Sequence, residues 1–168
     1  MPAFEAIAST KLTVDTATVT FSSIPSTYEH LQLRVFGIAV GAASTSGFIR
    51  FNNQSTTGNY WEHEFGGNGT TKLSGGSQSN KITVGRVAGD SYLTTGGVII
   101  TDILDYASGN KYKTVRSLSG WDANGAGEVY LRSGSGVFGT AAINRIDFFL
   151  DSNMKAGTVV SLYGLRSA

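Results

Sequence analysis

Residues 60–65 read YWEHEF, an imidazole set between two carboxylates. Side chains alternate faces along an extended strand, so Glu62 and Glu64 project to one side while Trp61 and His63 project to the other. The adjacent letters therefore do not converge on a metal. The chain's other histidine, His30, follows Glu29 at the start of a second alternating segment. A site built from both would use every histidine, whereas zinc ordinarily takes three or four protein ligands. No metal and no cofactor are expected.

A denser run, DILDYASGNKYKTVRSLSGW at 102–121, gathers two acids, three bases, two tyrosines and a tryptophan. Asp102, Asp105, Asp122, Asp147 and Asp151 are aspartates from which a glycosidase pair could be drawn, but nothing in the sequence aims two of them at one cleft. No Gly-x-Ser-x-Gly elbow is present, and GGNGTTK lacks both the Gly-Lys-Ser/Thr ending and a following helical pattern. The expectation is a protein that is not an enzyme. ASGN at 107–110 has the residue types of a short turn, so the dense run reads as one β-hairpin with Asp105 pairing across to Lys111 or Lys113. The rings of Trp61, Trp121, Tyr60, Tyr92 and Tyr106 leave a carbohydrate platform open, with Trp61 and Trp121 as the stacking candidates. Burial in a core is the other use of such rings.

The elements that must position these residues are strands. Helical periodicity is almost absent, and short segments rich in Val, Ile, Thr, Tyr and Phe alternate with Gly, Ser and Asn. In HLQLRVF, Leu31, Leu33 and Val35 share one face and Gln32 and Arg34 the other. GVIITDIL is bulky on both faces, with Val98, Ile100 and Leu104 opposite Ile99 and Ile103, and reads as a central strand. Roughly eleven such segments predict a single all-β domain over residues 1–168, an antiparallel β-sandwich of jelly-roll type. Residues 52–79 read as a loop-rich excursion and residues 1–4 as an extended N-terminal arm.

Composition removes several function classes. With 13 Lys+Arg against 12 Asp+Glu, the net charge of +1 gives no field for nucleic acid. Zero cysteines exclude a disulfide scaffold and thiolate catalysis. No apolar stretch approaches the ~20 residues of a membrane span, and MPAFEAIAST has no secretory pattern. No nucleic-acid or membrane partner is expected.

Three stretches, FEAIASTKLTVDTATVTFSSIPSTYEHLQLRV, DILDYASGNKYKTVRSLSGW and the ending SLYGL, together resemble small structural proteins of tailed bacteriophages, cyanophages among them. That resemblance implies a virion component made in the bacterial cytoplasm, either a capsid decoration (cement) protein or a tail accessory protein. It further implies the major capsid protein or other virion proteins as partners, and a homo-oligomer, trimer or dimer. Pro2, Phe4 and Leu165, in the termini, are the candidate partner contacts. Under the alternative, a tail or fibre module, host-surface polysaccharide would be the ligand of Trp61 or Trp121.

Overall fold

The computed structural model describes residues 4–41, 44–91, 96–122, 127–135 and 139–166. Among them are twelve strands in two antiparallel sheets. The large sheet has the order β1 (Phe4–Lys11), β12 (Val159–Leu165), β3 (His30–Gly37), β8 (Gly97–Leu104), β9 (Thr114–Asp122), β10 (Gly127–Ser135), β5 (Tyr60–Gly67), β6 (Lys72–Ser79). The small sheet has the order β2 (Thr16–Phe21), β11 (Ile146–Met154), β4 (Ser44–Phe51), β7 (Ile82–Ala88).

The chain crosses between sheets after β1, β2, β3, β4, β6, β7, β10 and β11. This is jelly-roll connectivity: β1-β12-β3-β8 and β2-β11-β4-β7 are the two four-stranded halves, with the hairpin β5–β6 inserted between β4 and β7 and the pair β9–β10 between β8 and β11, both extending the large sheet beyond β8. The sandwich is the expected fold, and it encloses one core. Leu31, Leu33, Ile99, Ile103 and Leu162 from the large sheet meet Ile49, Phe51, Val84, Ile146 and Phe148 from the small one.

Two expectations need correction. Residues 52–79 are mostly hairpin, because β5 and β6 pair over eight consecutive positions from Tyr60↔Ser79 to Gly67↔Lys72. Leu73 is the one large apolar residue in β6, so backbone pairing holds a strand that no side-chain alternation announces. Phe4, expected to close an N-terminal arm, instead opens β1 and pairs with Leu165 of β12. Pro2 lies outside the described residues.

GVIITDIL is central, as expected, but only one of its faces is buried. Ile99, Thr101 and Ile103 are fully enclosed, whereas Val98 and Leu104 stay 44% and 37% exposed. The hairpin reading of 102–121 also holds: Asp102 faces Arg116 across β8 and β9, and Lys111 Nζ lies 3.0 Å from Asp105. Lys113 does something else. It is fully buried, and its ammonium donates to the carbonyls of Lys111 (2.8 Å), Thr140 (3.0 Å) and Ser108. Burial pulls its pKa below the ordinary lysine value, while Asp105 pulls the other way.

Candidate functional site

Cross-strand register sorts the outer face of the large sheet into rows. One row contains Phe36, Val98, Gly120, Val129 and Gly67. The next contains Arg34, Ile100, Leu118 and Phe65. Phe36 (53%), Val98 (44%), Leu118 (52%), Val129 (58%) and Phe65 (63%) are all open to solvent. Gly120 and Gly67 add no side chain, so hollows remain between the valines and beside Phe65. At roughly 150–250 Å² per large aromatic and somewhat less per aliphatic, these five half-exposed side chains present on the order of 500 Å² of contiguous apolar surface, at the upper range for a monomer.

The small sheet treats its outward aromatics differently. Phe48 and Phe149 pack with tilted rings, centroids 5.5 Å apart. Lys81 Nζ sits 3.4 Å from the Phe48 ring centroid, and the Arg50 guanidinium lies 4.8 Å from that of Phe149. Those cations shield the rings, whereas the two apolar rows of the large sheet have no such cover among the described residues.

A polar row borders the apolar ones: Tyr163, Gln32, Asp102, Arg116 and His63. Arg116 donates to Asp102 at 2.7 Å, Gln32 Nε2 donates to the other Asp102 oxygen at 2.7 Å, and Arg34 Nε donates to Gln32 Oε1 at 2.7 Å. The Arg34 guanidinium then lies over the stacked rings of Phe4 and Tyr163, at 4.9 and 5.2 Å. One connected track therefore crosses β9, β8, β3, β12 and β1 and holds Phe4 and Arg34 in place. Phe4 and Leu165, proposed from sequence as partner contacts, sit together at the far end of this same face.

The chemical candidates are dispersed. His30 accepts a hydrogen bond from the Asp105 amide at Nδ1 (3.0 Å), a structural use at the β8–β9 turn. His63 stands four strands away, about 19 Å at sheet spacing. Among the described residues no three His, Cys, Asp or Glu approach closely enough to hold a metal. Glu62 points to the inner face, where it accepts from the Thr83 amide (2.6 Å) and hydroxyl (3.0 Å). Asp102 is paired on the outer face of the large sheet, whereas Asp147 is on the small sheet, gripped by Arg145 at 2.8 Å and by Thr20 at 2.6 Å. They share no cleft.

The ring platform also separates. Trp61 is 48% exposed on the outer face. Trp121 is half-buried on the inner face, because β9 alternates and its Arg116, Leu118 and Gly120 point outward. Tyr60 and Tyr106 are core residues. The Tyr60 hydroxyl bonds the Phe51 amide (3.1 Å) and the Gln54 carbonyl (2.9 Å), and that of Tyr106 bonds the Pro25 carbonyl. Burial raises both phenol pKa values. Tyr92 lies outside the described residues.

Neither a protein-family model nor a curated protein matches the chain. Among solved structures it is similar to an exo-inulinase from Aspergillus awamori, at 11% identity and a TM-score of 0.44 over 96% of this chain and 29% of the inulinase. It is also similar to a single mutant of congerin II, at 13% identity and 0.39 over 86% of this chain and 98% of that one. A third likeness is to sheep galectin-11, at 7% identity and 0.37 over 88% and 97%. The chain thus spans less than a third of the inulinase, and the likeness in each case is one of β-sandwich architecture.

Proposed function

We propose that this chain is a non-enzymatic structural component of a tailed-bacteriophage particle, a decoration protein that docks on capsid subunits through the outer face of its large sheet. The observation that carries the reading is the pair of open apolar rows centred on Val98, Leu118 and Val129, bordered by the Arg116–Asp102–Gln32–Arg34 track. An apolar centre with a polar rim is the anatomy of a protein–protein interface. The resemblance of the three sequence stretches to phage structural proteins supplies the partner. An apolar core of ~500 Å² with its polar border approaches the ~800 Å² per partner of a standard interface, and repetition over a symmetric shell multiplies a modest affinity.

The test places charges in the rows. Val98→Asp and Leu118→Asp change exposed side chains, so each is expected to shift folding stability only slightly. Burying either carboxylate against a capsid surface would cost several kcal/mol, so binding to undecorated particles should fall at least a hundredfold. Unchanged occupancy by both folded variants would overturn the reading.

A second reading, a tail or fibre module for host polysaccharide, is favoured by one observation: Trp61 and Phe65 stand exposed side by side with His63 along β5. A Trp61 fluorescence change on adding host glycans would support it. No change would leave the docking surface as the function of this face.

A further inference from the structure

We infer that two copies of this chain join through the free edge of β6, in antiparallel register about a twofold axis at Gly75, to form one continuous sheet of sixteen strands.

Three of the four sheet edges are closed or broken. Along β7, the Thr83 amide is taken by Glu62, the Val84 carbonyl accepts from the Ser117 hydroxyl, and the Arg86 amide reaches Ser119 Oγ at 3.3 Å. Gly85, at φ +152°, permits this approach, since a Cβ there would fall 2.3 Å from that of Ser119. The β1 edge is bulged between Ala6 and Ala8, and the β2 pairing with β11 shifts register between Phe149 and Met154. Bulges and breaks blunt an edge. β6 has neither, no proline, and only one charge, Lys72 at its end.

The turns at both ends of β6 show which backbone groups it offers. Asn68 N donates to Thr71 O at 3.3 Å, and Gly58 N donates to Ser79 O at 3.0 Å. Alternation from these two points turns Leu73, Gly75, Ser77 and Ser79 toward β5, and Lys72, Ser74, Gly76 and Gln78 toward the open edge. Outward residues must face outward residues. An axis at Gly75 sets Lys72 opposite Gln78 and Ser74 opposite Gly76 of the second copy, giving about eight ladder hydrogen bonds, against about six for an axis at Gly76.

Charge selects the occupant. In this register the two Lys72 side chains stand about 20 Å apart, beyond the ~8 Å Debye length of physiological salt. A parallel partner would set them side by side. The axis also falls on a residue without a side chain, at a non-hydrogen-bonded pair where opposing Cα atoms approach to about 4.5 Å. The join brings the outer faces of the two copies into one plane, so a dimer would carry the apolar rows twice.

Cysteine cross-linking tests the register, because the chain has no cysteine. A Cβ on Gly75 would make only an ordinary contact, 3.5 Å from Glu64 Oε1, so Gly75→Cys is accommodated. On oxidation at roughly 10 μM it should yield a disulfide-linked dimer at least tenfold faster than Gln78→Cys, whose partner is Lys72, because only the Gly75 pair meets disulfide geometry. Sedimentation of the wild-type chain between roughly 1 and 100 μM should show a monomer–dimer equilibrium. Ser74→Pro, which removes an outward N–H and no bond to β5, should weaken it at least tenfold with the circular dichroism spectrum kept. A wild-type monomer throughout that range, or equal cross-linking of the two cysteine variants, overturns the inference. The docking reading fails separately: a Ser74→Pro monomer that still binds particles, or a dimer that does not, tells the two apart.

Discussion

Replacing Lys113 by methionine keeps an unbranched side chain out to the ε position and removes the ammonium with its three hydrogen-bond donors. The wild-type ammonium commits all of them to backbone carbonyls, those of Ser108 and Lys111 in the β8–β9 connection and that of Thr140 in the segment leading to β11. It therefore fastens the hairpin of the large sheet to the strand entry of the small one. A hydrogen bond to a charged group is worth about 1.5–3 kcal/mol, and a stranded buried acceptor costs about 1–3 kcal/mol. Ser108 and Thr140 are only half-buried and Lys111 is exposed, so water can reclaim part of that loss, and a buried methionine side chain returns some apolar burial. The net expectation for Lys113→Met is a loss of about 3 kcal/mol, a large share of the roughly 5–15 kcal/mol that holds a domain, or roughly 6–12 °C in Tm. Urea unfolding followed by tryptophan fluorescence measures it, with Lys111→Met as the control. Lys111 is 65% exposed in its ion pair with Asp105, so the control should lose no more than about 1 kcal/mol. Equal losses in the two variants, or a Lys113→Met chain within about 0.5 kcal/mol of wild type, the usual tolerance of a surface site, would refute the staple.

Three further outcomes follow from other parts of the fold. In Gly164→Ala the new methyl would meet the Tyr28 ring at 2.3 Å, so urea unfolding should show a loss of about 1–3 kcal/mol, and an unchanged midpoint would contradict the packing. Lys155 and the Gly41 amide hold the Asp90 carboxyl below the usual carboxylate range, and Lys111 does the same for Asp105. Their contribution is present above the unfolded value of about 3.9 and lost as pH falls through the lower native values. The urea midpoint should therefore drop on acidification, and Asp90→Asn should lower the neutral plateau and converge with wild type in acid; a constant offset at every pH would refute it. Acrylamide should quench two classes of indole, the more accessible class vanishing in Trp61→Phe, because Trp61 is exposed and Trp121 half-buried on the opposite face. A single class in the wild type would contradict those placements.

The sandwich was legible because most strands alternate: Leu31, Leu33 and Val35 lie inward, with Gln32 and Arg34 outward, as their spacing predicts. β6 escaped notice because KLSGGSQS has no apolar face to alternate, and its neighbour holds it through the backbone. The rows of the candidate site were half-visible. Val98, Ile100 and Leu104 stand out as apolar partners of Ile99 and Ile103, and an apolar run on both faces suggests a strand covered twice. Sequence cannot distinguish a face covered by its own chain from one left for a partner, since the same residue types serve both. Lys113 was invisible for a related reason, because a lysine beside a turn usually points to water and only the returning segment at Thr140 makes its burial favourable.

Cryo-electron microscopy of virions purified from the lysate containing the chain, with quantitative mass spectrometry, tests the central claim most directly. The account predicts copies spread over the shell at a stoichiometry comparable to the major capsid protein, each with the Val98–Leu118–Val129 face turned toward a capsid subunit. Absence from the particle, or an attached copy with that face turned to solvent, would contradict it.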